Sequence, residues 1–365
     1  MIRSERMFSK KAYLVLENGM IFEGKSFGYD REISGEVVFN TAMVGYLEAL
    51  TDPRYQGQLL VQTFPLIGNY GVISEDLESD SCYPAAYIVR EWCEHPSNFR
   101  SEGDINNFLY EKKIPGLYGI DTRKLTKVLR EEGTMKGKLC YELTQTIKFL
   151  KPSKRTAYEV VKDQIMIYQQ ENAEFNVAVL NLGAKKTFFN NFPLLNIEAA
   201  VFGPASKASQ LAELKPDGIV ITHGPGNPDN YIDIVEEIEE ILDMGIPVFG
   251  IGLGHQLIAM ACGAKTAKLP YGHRGGSQPV RDIKADKVLI TSQNHGYYVI
   301  SQTLPRSARE IFVNVNDNTC EGLEYKDKPC FSLQFDPTPA TEGNPGPYFG
   351  RFIQMMKEAK NNAAE

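Results

Sequence analysis

What this chain has little of narrows it first. Only six cysteines occur among 365 residues (Cys82, Cys93, Cys140, Cys262, Cys320, Cys330), and no two are spaced as a CxxC pair. That scatter argues against a disulfide framework or a cysteine zinc site, and it suits a reducing cytosol. Basic charge is not in excess: 39 Lys and Arg stand against 46 Asp and Glu, a net charge of −7. Neither nucleic acid nor an acidic membrane surface is an expected partner for such a chain. The basic start (Arg3, Arg6, Lys10, Lys11) is followed by a short apolar run from Tyr13 to Leu16 and then Glu17, too brief for the core of a signal peptide. One apolar stretch, residues 245–264, has a membrane-like length, but Pro247, several glycines, His255 and Gln256 interrupt it. It reads as a buried strand, turn and helix rather than a membrane span. A cytoplasmic location is expected. Histidine is scarce as well (His95, His223, His255, His273, His295), and nothing shows metal-ligand spacing, so no metal is expected.

What is present describes an ordinary globular chain, 42% hydrophobic and 23% charged, long enough for two domains with proper cores. Residues 13–17 and 20–24 flank Asn18-Gly19 and read as a hairpin. Residues 35–40 and 85–90 read as further strands. Helices are expected at 104–112 and at 121–132, the second with Asp121 as N-cap. This first domain, residues 1–143, is mixed α/β. Residues 144–175 are polar, contain Pro152 and a Lys/Arg cluster, and read as a linker. From 176 to 365 the pattern changes. Short apolar runs at 177–181, 198–202, 218–222 and 246–250 alternate with longer polar segments, which indicates βα units around a parallel sheet. In open sheets of that kind sites gather at the carboxyl ends of strands. The Gly-rich run from His223 to Pro228 lies at one such end, and Gly250-Ile-Gly-Leu-Gly-His-Gln256 at another.

That second string is the most informative in the chain. A sharp strand-to-helix turn lifts one residue out of the sheet and aims the following backbone N–H at whatever that residue attacks. The pattern G-I-C-L-G-H-Q resembles the nucleophile elbow of class I glutamine amidotransferases, with cysteine at the apex. Here the apex is Gly252.

The resemblance extends over nearly the whole chain to the small, glutaminase subunit of carbamoyl phosphate synthetase. In the first domain it is carried by Gly35-Glu-Val-Val-Phe-Asn-Thr41, Thr51-Asp-Pro53, Pro65-Leu-Ile-Gly-Asn-Tyr-Gly71, Pro96-Ser-Asn98 and Gly119-Ile-Asp-Thr-Arg-Lys-Leu-Thr126. In the second it is carried by Gly224-Pro-Gly226, Gly254-His-Gln256, Gly263-Ala-Lys-Thr266, Gly272-His273 and Gln293-Asn-His-Gly296. It implies an N-terminal small-subunit domain followed by a flavodoxin-like class I glutamine amidotransferase domain. It also implies a large synthetase subunit as partner, which would bind ATP and Mg, leaving this chain no cofactor of its own. The complex would make carbamoyl phosphate for arginine and pyrimidine synthesis.

In the family a cysteine thiolate attacks the carboxamide of glutamine, and a histidine oriented by a glutamate handles the protons. The family pattern for that pair is Q-F-H-P-E; this chain reads Gln334-Phe-Asp336-Pro-Thr338. All three triad positions therefore differ: Gly252, Asp336 and Thr338. Glycine has no nucleophilic atom. Aspartate, with a reference pKa of about 3.9, is a poor base near neutrality. Threonine carries no charge to stabilise an imidazolium. Loss of glutaminase activity is the expectation, with the chain acting as a structural or regulatory pseudoenzyme. Two rivals stand beside it: an active glutaminase in which Asp336 activates water, and a free-standing glutamine-binding protein.

By the same resemblance Leu253, Gly224 and Gly226 supply the oxyanion turn. Gln256, Asn294, Gly296 and Tyr297 hold glutamine. Where the family has serine after Thr-Asp-Pro, this chain has Arg54, which reaches a ligand carboxylate, plugs the pocket, or points to solvent. Other features have plainer readings. No Lys-Ser/Thr follows the His223–Pro228 turn, so it is no phosphate loop. His255 reads as a packed helix histidine, Cys262 as a buried structural cysteine deep in the same helix, and 272–276 as a loop. The acidic run 233–243 reads as a solvated helix face.

Overall fold

The computed structural model describes residues 9–145, 147–150, 153–154, 156–162, 164–337 and 346–364. The chain divides into two compact units, Met1–Ser153 and Lys154–Glu365.

In the first unit the Asn18-Gly19 turn joins Lys11–Leu16 to Ile21–Gly28, antiparallel, with Val15 opposite Ile21. Those two strands belong to a closed barrel. Its order is Lys11–Leu16, Ile21–Gly28, Pro115–Tyr118, Ala86–Ile88, Leu59–Gln62, Ile33–Asn40 and Met135–Cys140. Closure leaves no open sheet edge. Leu14, Val37, Leu59, Ile88, Leu117 and Leu139 belong to its buried core. Both expected helices form. Asp104 caps Ile105–Glu111 by accepting the Asn107 N–H at 2.9 Å, and Asp121 caps Thr122–Glu132 by accepting that of Lys124 at 2.9 Å. The second helix buries Leu125, Val128 and Leu129, the i, i+3, i+4 spacing of one face.

The second unit is built on a ten-stranded sheet. Its order is Met166–Tyr168, Ile197–Phe202, Phe175–Leu180, Gly218–Ile221, Val248–Ile251, Cys330–Leu333, Cys320–Tyr325, Ala308–Asn314, Thr266–Asp282 and Lys287–Val299. From Ile197–Phe202 to Cys330–Leu333 every pairing is parallel. Both faces of that run are covered, which explains why its strands are continuously apolar. The helices Ile232–Asp243 and Leu253–Ala261 pack in one apolar cluster, and the helix Gly346–Ala364 packs with Phe188, Phe249 and Phe331 in another. Phe249 and Phe331 stack at 4.5 Å on adjacent strands. The acidic helix Ile232–Asp243 turns Ile234, Val235, Ile238, Ile241 and Leu242 inward.

Beyond the parallel run the sheet continues antiparallel, and here the sequence expectation needs correcting. Residues 272–276 are not a loop. They lie within the 17-residue strand Thr266–Asp282, whose pairing with Lys287–Val299 shifts register between Lys268 and His273 and again between Gly275 and Gln278. Glycines inside a strand mark such irregularities as readily as they mark turns. The segment 144–175 contributes a short helix, Thr156–Val160, and an edge strand, Met166–Tyr168. Among the described residues no helix is long and apolar enough to cross a membrane.

Candidate functional site

The site is built where Val248–Ile251 gives way to Leu253–Ala261. Between them Gly252 stands at φ 58° and ψ −111°, a conformation L side chains rarely adopt. Both neighbouring strands hold it there. The Gly252 N–H donates to the Leu333 carbonyl at 2.8 Å, and the Gly254 N–H donates to that of Thr222 at 3.0 Å. Helix and sheet meet backbone to backbone: a Cβ on Gly254 would lie 2.2 Å from the Ile221 oxygen. The elbow expected from the sequence is therefore present in form, with Leu253 opening the helix.

One side chain, His223, lies against it, and a chain of contacts leads from His223 to Lys185 and Asp336. His223, at the end of the adjoining strand, is 2% exposed; its Cβ lies 2.7 Å from where a Cβ on Gly252 would stand. Its Nε2 accepts the Lys185 N–H at 3.2 Å, and its ring meets Phe188 edge-on at 5.9 Å. Lys185 turns its ammonium to Asp336 Oδ2 at 3.0 Å, with both side chains mostly buried. The sequence places His223 at a strand end where sites gather but singles out neither its side chain nor Lys185. The available signal was their place just beyond strand ends, where sites in this kind of sheet gather. Thr338, the third triad position, lies outside the described residues.

Gln256 extends from the first turns of the helix. Its Nε2 donates to the Tyr297 carbonyl at 2.7 Å and to Gln334 Oε1 at 2.9 Å, which brings three expected site segments together. Gly224 and Gly226 form the turn after Thr222, tied down by the Tyr231 hydroxyl. That hydroxyl donates to the Pro225 carbonyl at 2.9 Å and accepts the Ala157 N–H at 3.0 Å. Asn294 and Gly296 flank His295 on Lys287–Val299, with Asn294 opposite Arg274.

Arg54 is in the first unit, on the short turn Pro53–Tyr55, and it is buried. Its Nε reaches both Asp52 oxygens, at 2.9 and 3.0 Å, and an outer nitrogen reaches Oδ2 at 2.8 Å. That corrects one of its three alternatives: the guanidinium does not point to solvent. His255 is fully buried with Nδ1 2.8 Å from Ser332 Oγ, and burial pushes its pKa down to about 3. It packs and does not act as a base. Cys262 is not deep in the helix. It caps the C-terminal end, half-buried, with burial pushing its thiol up to about 11.

The structure also brings together a group that linear spacing concealed. His273, His295 and Glu321 place their ligand atoms within 4.8 Å of one another. His273 Nε2 lies 2.9 Å from Asp317 Oδ2, and its Nδ1 lies 3.5 Å from Glu321 Oε1. Burial opposes a charge on this ring, but the two carboxylates outweigh it and raise the pKa to about 9. Glu321 also accepts from Gln293 at 3.0 Å and Asn314 at 2.9 Å. The cluster ties the strand carrying Asn294, Gly296 and Tyr297 to Asp317 and Glu321 through His273 and Gln293.

Comparison with known proteins gives the site its context. Residues 14–139 match the family described as carbamoyl-phosphate synthase small chain, CPSase domain, and residues 178–355 match glutamine amidotransferase class-I. The carbamoyl phosphate synthase small chain of Clostridium perfringens is 44% identical over 96% of this chain and 99% of its own length. The pyrimidine-specific small chain of Halalkalibacterium halodurans is 43% identical over 97% of this chain and 99% of its own. That of Bacillus subtilis is 40% identical over 95% and 96%.

Proposed function

Because the chain belongs to the carbamoyl phosphate synthase small-chain family, we propose that it serves a synthetase complex as a small subunit that does not hydrolyse glutamine. The observation carrying this reading is Gly252, at the apex of a well-formed elbow with no side chain to attack an amide. Covalent catalysis needs a nucleophilic atom at that point, and none of the elbow's other groups replaces it. Cys262 sits at the far end of the helix. His255 is held neutral by burial. Asp336, where the family pattern has histidine, is ion-paired with Lys185.

In this role the chain contributes interface, stability or allosteric tuning to a large subunit that uses ATP, bicarbonate and ammonia. The elbow and the Gly224–Gly226 turn are part of the fold: the elbow is tied to neighbouring strands by backbone bonds and the turn to the Tyr231 hydroxyl, none of which depends on catalysis. Glycine at a φ > 0 position also relieves strain of about 1 kcal/mol or more. Water activation by Asp336 is the weaker alternative, since its carboxylate is already engaged by the Lys185 ammonium. A free-standing binding role predicts no association with a large subunit, so co-purification separates it from the subunit reading.

The direct test is carbamoyl phosphate synthesis by the reconstituted complex, driven in parallel by ammonium and by glutamine. Synthesis with ammonium alone supports the proposal. Comparable synthesis with glutamine refutes it.

A further inference from the structure

We propose that the elbow is closed by this chain's own groups, so that the site excludes glutamine rather than binding it without reaction. The inference rests on reading Gly252 as the former nucleophile position, but it concerns binding, which loss of a nucleophile alone would leave intact.

Three features carry it. The first is steric. A Cβ on Gly252 would stand 2.7 Å from His223 Cβ and 3.3 Å from its Cα. Those atoms are not the far end of a flexible side chain, so the backbone itself would have to retreat to admit any residue at 252. His223 is held in place from the other side by the Lys185 N–H and by Phe188. The second is the Lys185–Asp336 ion pair, 18% and 6% exposed at the side chains. It joins the segment that follows Phe175–Leu180 to the segment that follows Cys330–Leu333, beyond the carboxyl ends of those strands. A pair withdrawn from water to this degree strongly resists separation, because parting it leaves two poorly solvated charges. The third concerns the donor expected to hold glutamine. Both protons of the Gln256 amide are engaged within the protein, by Tyr297 and by Gln334, so its N–H groups offer none to a ligand. Sterics, charge and hydrogen bonding thus favour the same closed arrangement.

Two measurements on the full-length chain test this. In titration calorimetry with glutamine, the unaltered chain should give no saturable heat, whereas Lys185→Ala combined with Asp336→Ala should gain binding. In the second, a thiol is introduced by Gly252→Cys, alone and together with His223→Gly, and its alkylation by iodoacetamide is followed at that peptide by mass spectrometry. The single variant should react at least about tenfold more slowly than the double, because thiol reactivity follows access. Should the thiol variants fail to fold, the calorimetry on the unaltered chain still decides the matter. Saturable glutamine binding by the unaltered chain, or equal alkylation of the two variants, overturns the closure. Binding without glutamate release would do so while sparing the non-hydrolysing reading, and glutamate release would overturn that reading itself.

Discussion

Replacing Asp317 with asparagine should flatten the alkaline limb of this chain's stability. His273 lies between Asp317 and Glu321, and its pKa is raised from 6.5 to about 9. A group whose folded pKa exceeds its unfolded value gives stability that is complete below the unfolded value and lost as pH rises through the folded one. Here the window runs from 6.5 to about 9. At about 1.4 kcal/mol per tenfold change in proton affinity, the loss over that window is about 3 kcal/mol. Asp317→Asn removes one of the two carboxylates while the burial penalty stays in full, so the loss should fall to less than half. The partner reports the opposite limb. Burial alone would raise the Asp317 pKa, but hydrogen bonds from His273 and Thr319 outweigh it and hold it at about 2, so that contribution is present above 3.8 and lost as pH falls toward 2. His295, kept neutral first by burial and then by the charge on His273, makes the chain less stable as pH falls below 6.5. Urea unfolding of both chains across the alkaline window reads the difference, and NMR titration of the His273 ring reads its cause. An unchanged His273 titration, or parallel stability curves for the two chains, would refute the reasoning.

Further outcomes follow from single contacts. Gly254→Ala should cost about 3 kcal/mol or more, because the added Cβ meets the Ile221 carbonyl at 2.2 Å and the helix cannot stay seated; thermal unfolding checks it. Tyr231→Phe removes the hydroxyl that holds Pro225 and Ala157, and should cost about 1–3 kcal/mol, with faster amide exchange at Gly224 and Gly226. Asp121→Ala should cost about 1 kcal/mol by uncapping Thr122–Glu132, and Asp121→Asn should recover most of it.

The parallel core of the second unit was legible because its strands are continuous apolar runs punctuated by glycine, a pattern that follows from burial on both faces. Asp104 and Asp121 declared their helices for an equally local reason: a short acidic side chain before an apolar face caps a helix. The barrel of the first unit was not legible as a barrel. Strands as short as Ala86–Ile88 carry little periodicity, and closure depends on parallel pairings such as Leu59 with Ala86 that no local pattern encodes. The Gly272–Gly276 run misled because glycine marks a loop and a strand irregularity alike. At the site, Gly252 was readable from its neighbours along the chain. The Lys185–Asp336 pair, 151 residues apart, exists only through the fold, and so does the carboxylate sandwich around His273.

A chain with Gly252 at its elbow should release no ammonia from glutamine. This is tested most directly by measuring glutamate formed from glutamine by the purified chain, alone and with a large subunit, beside a family member that keeps the cysteine. The expected result is release at background for this chain under both conditions. Turnover by the unaltered chain that is abolished by Asp336→Asn would contradict the claim and assign the chemistry to that carboxylate.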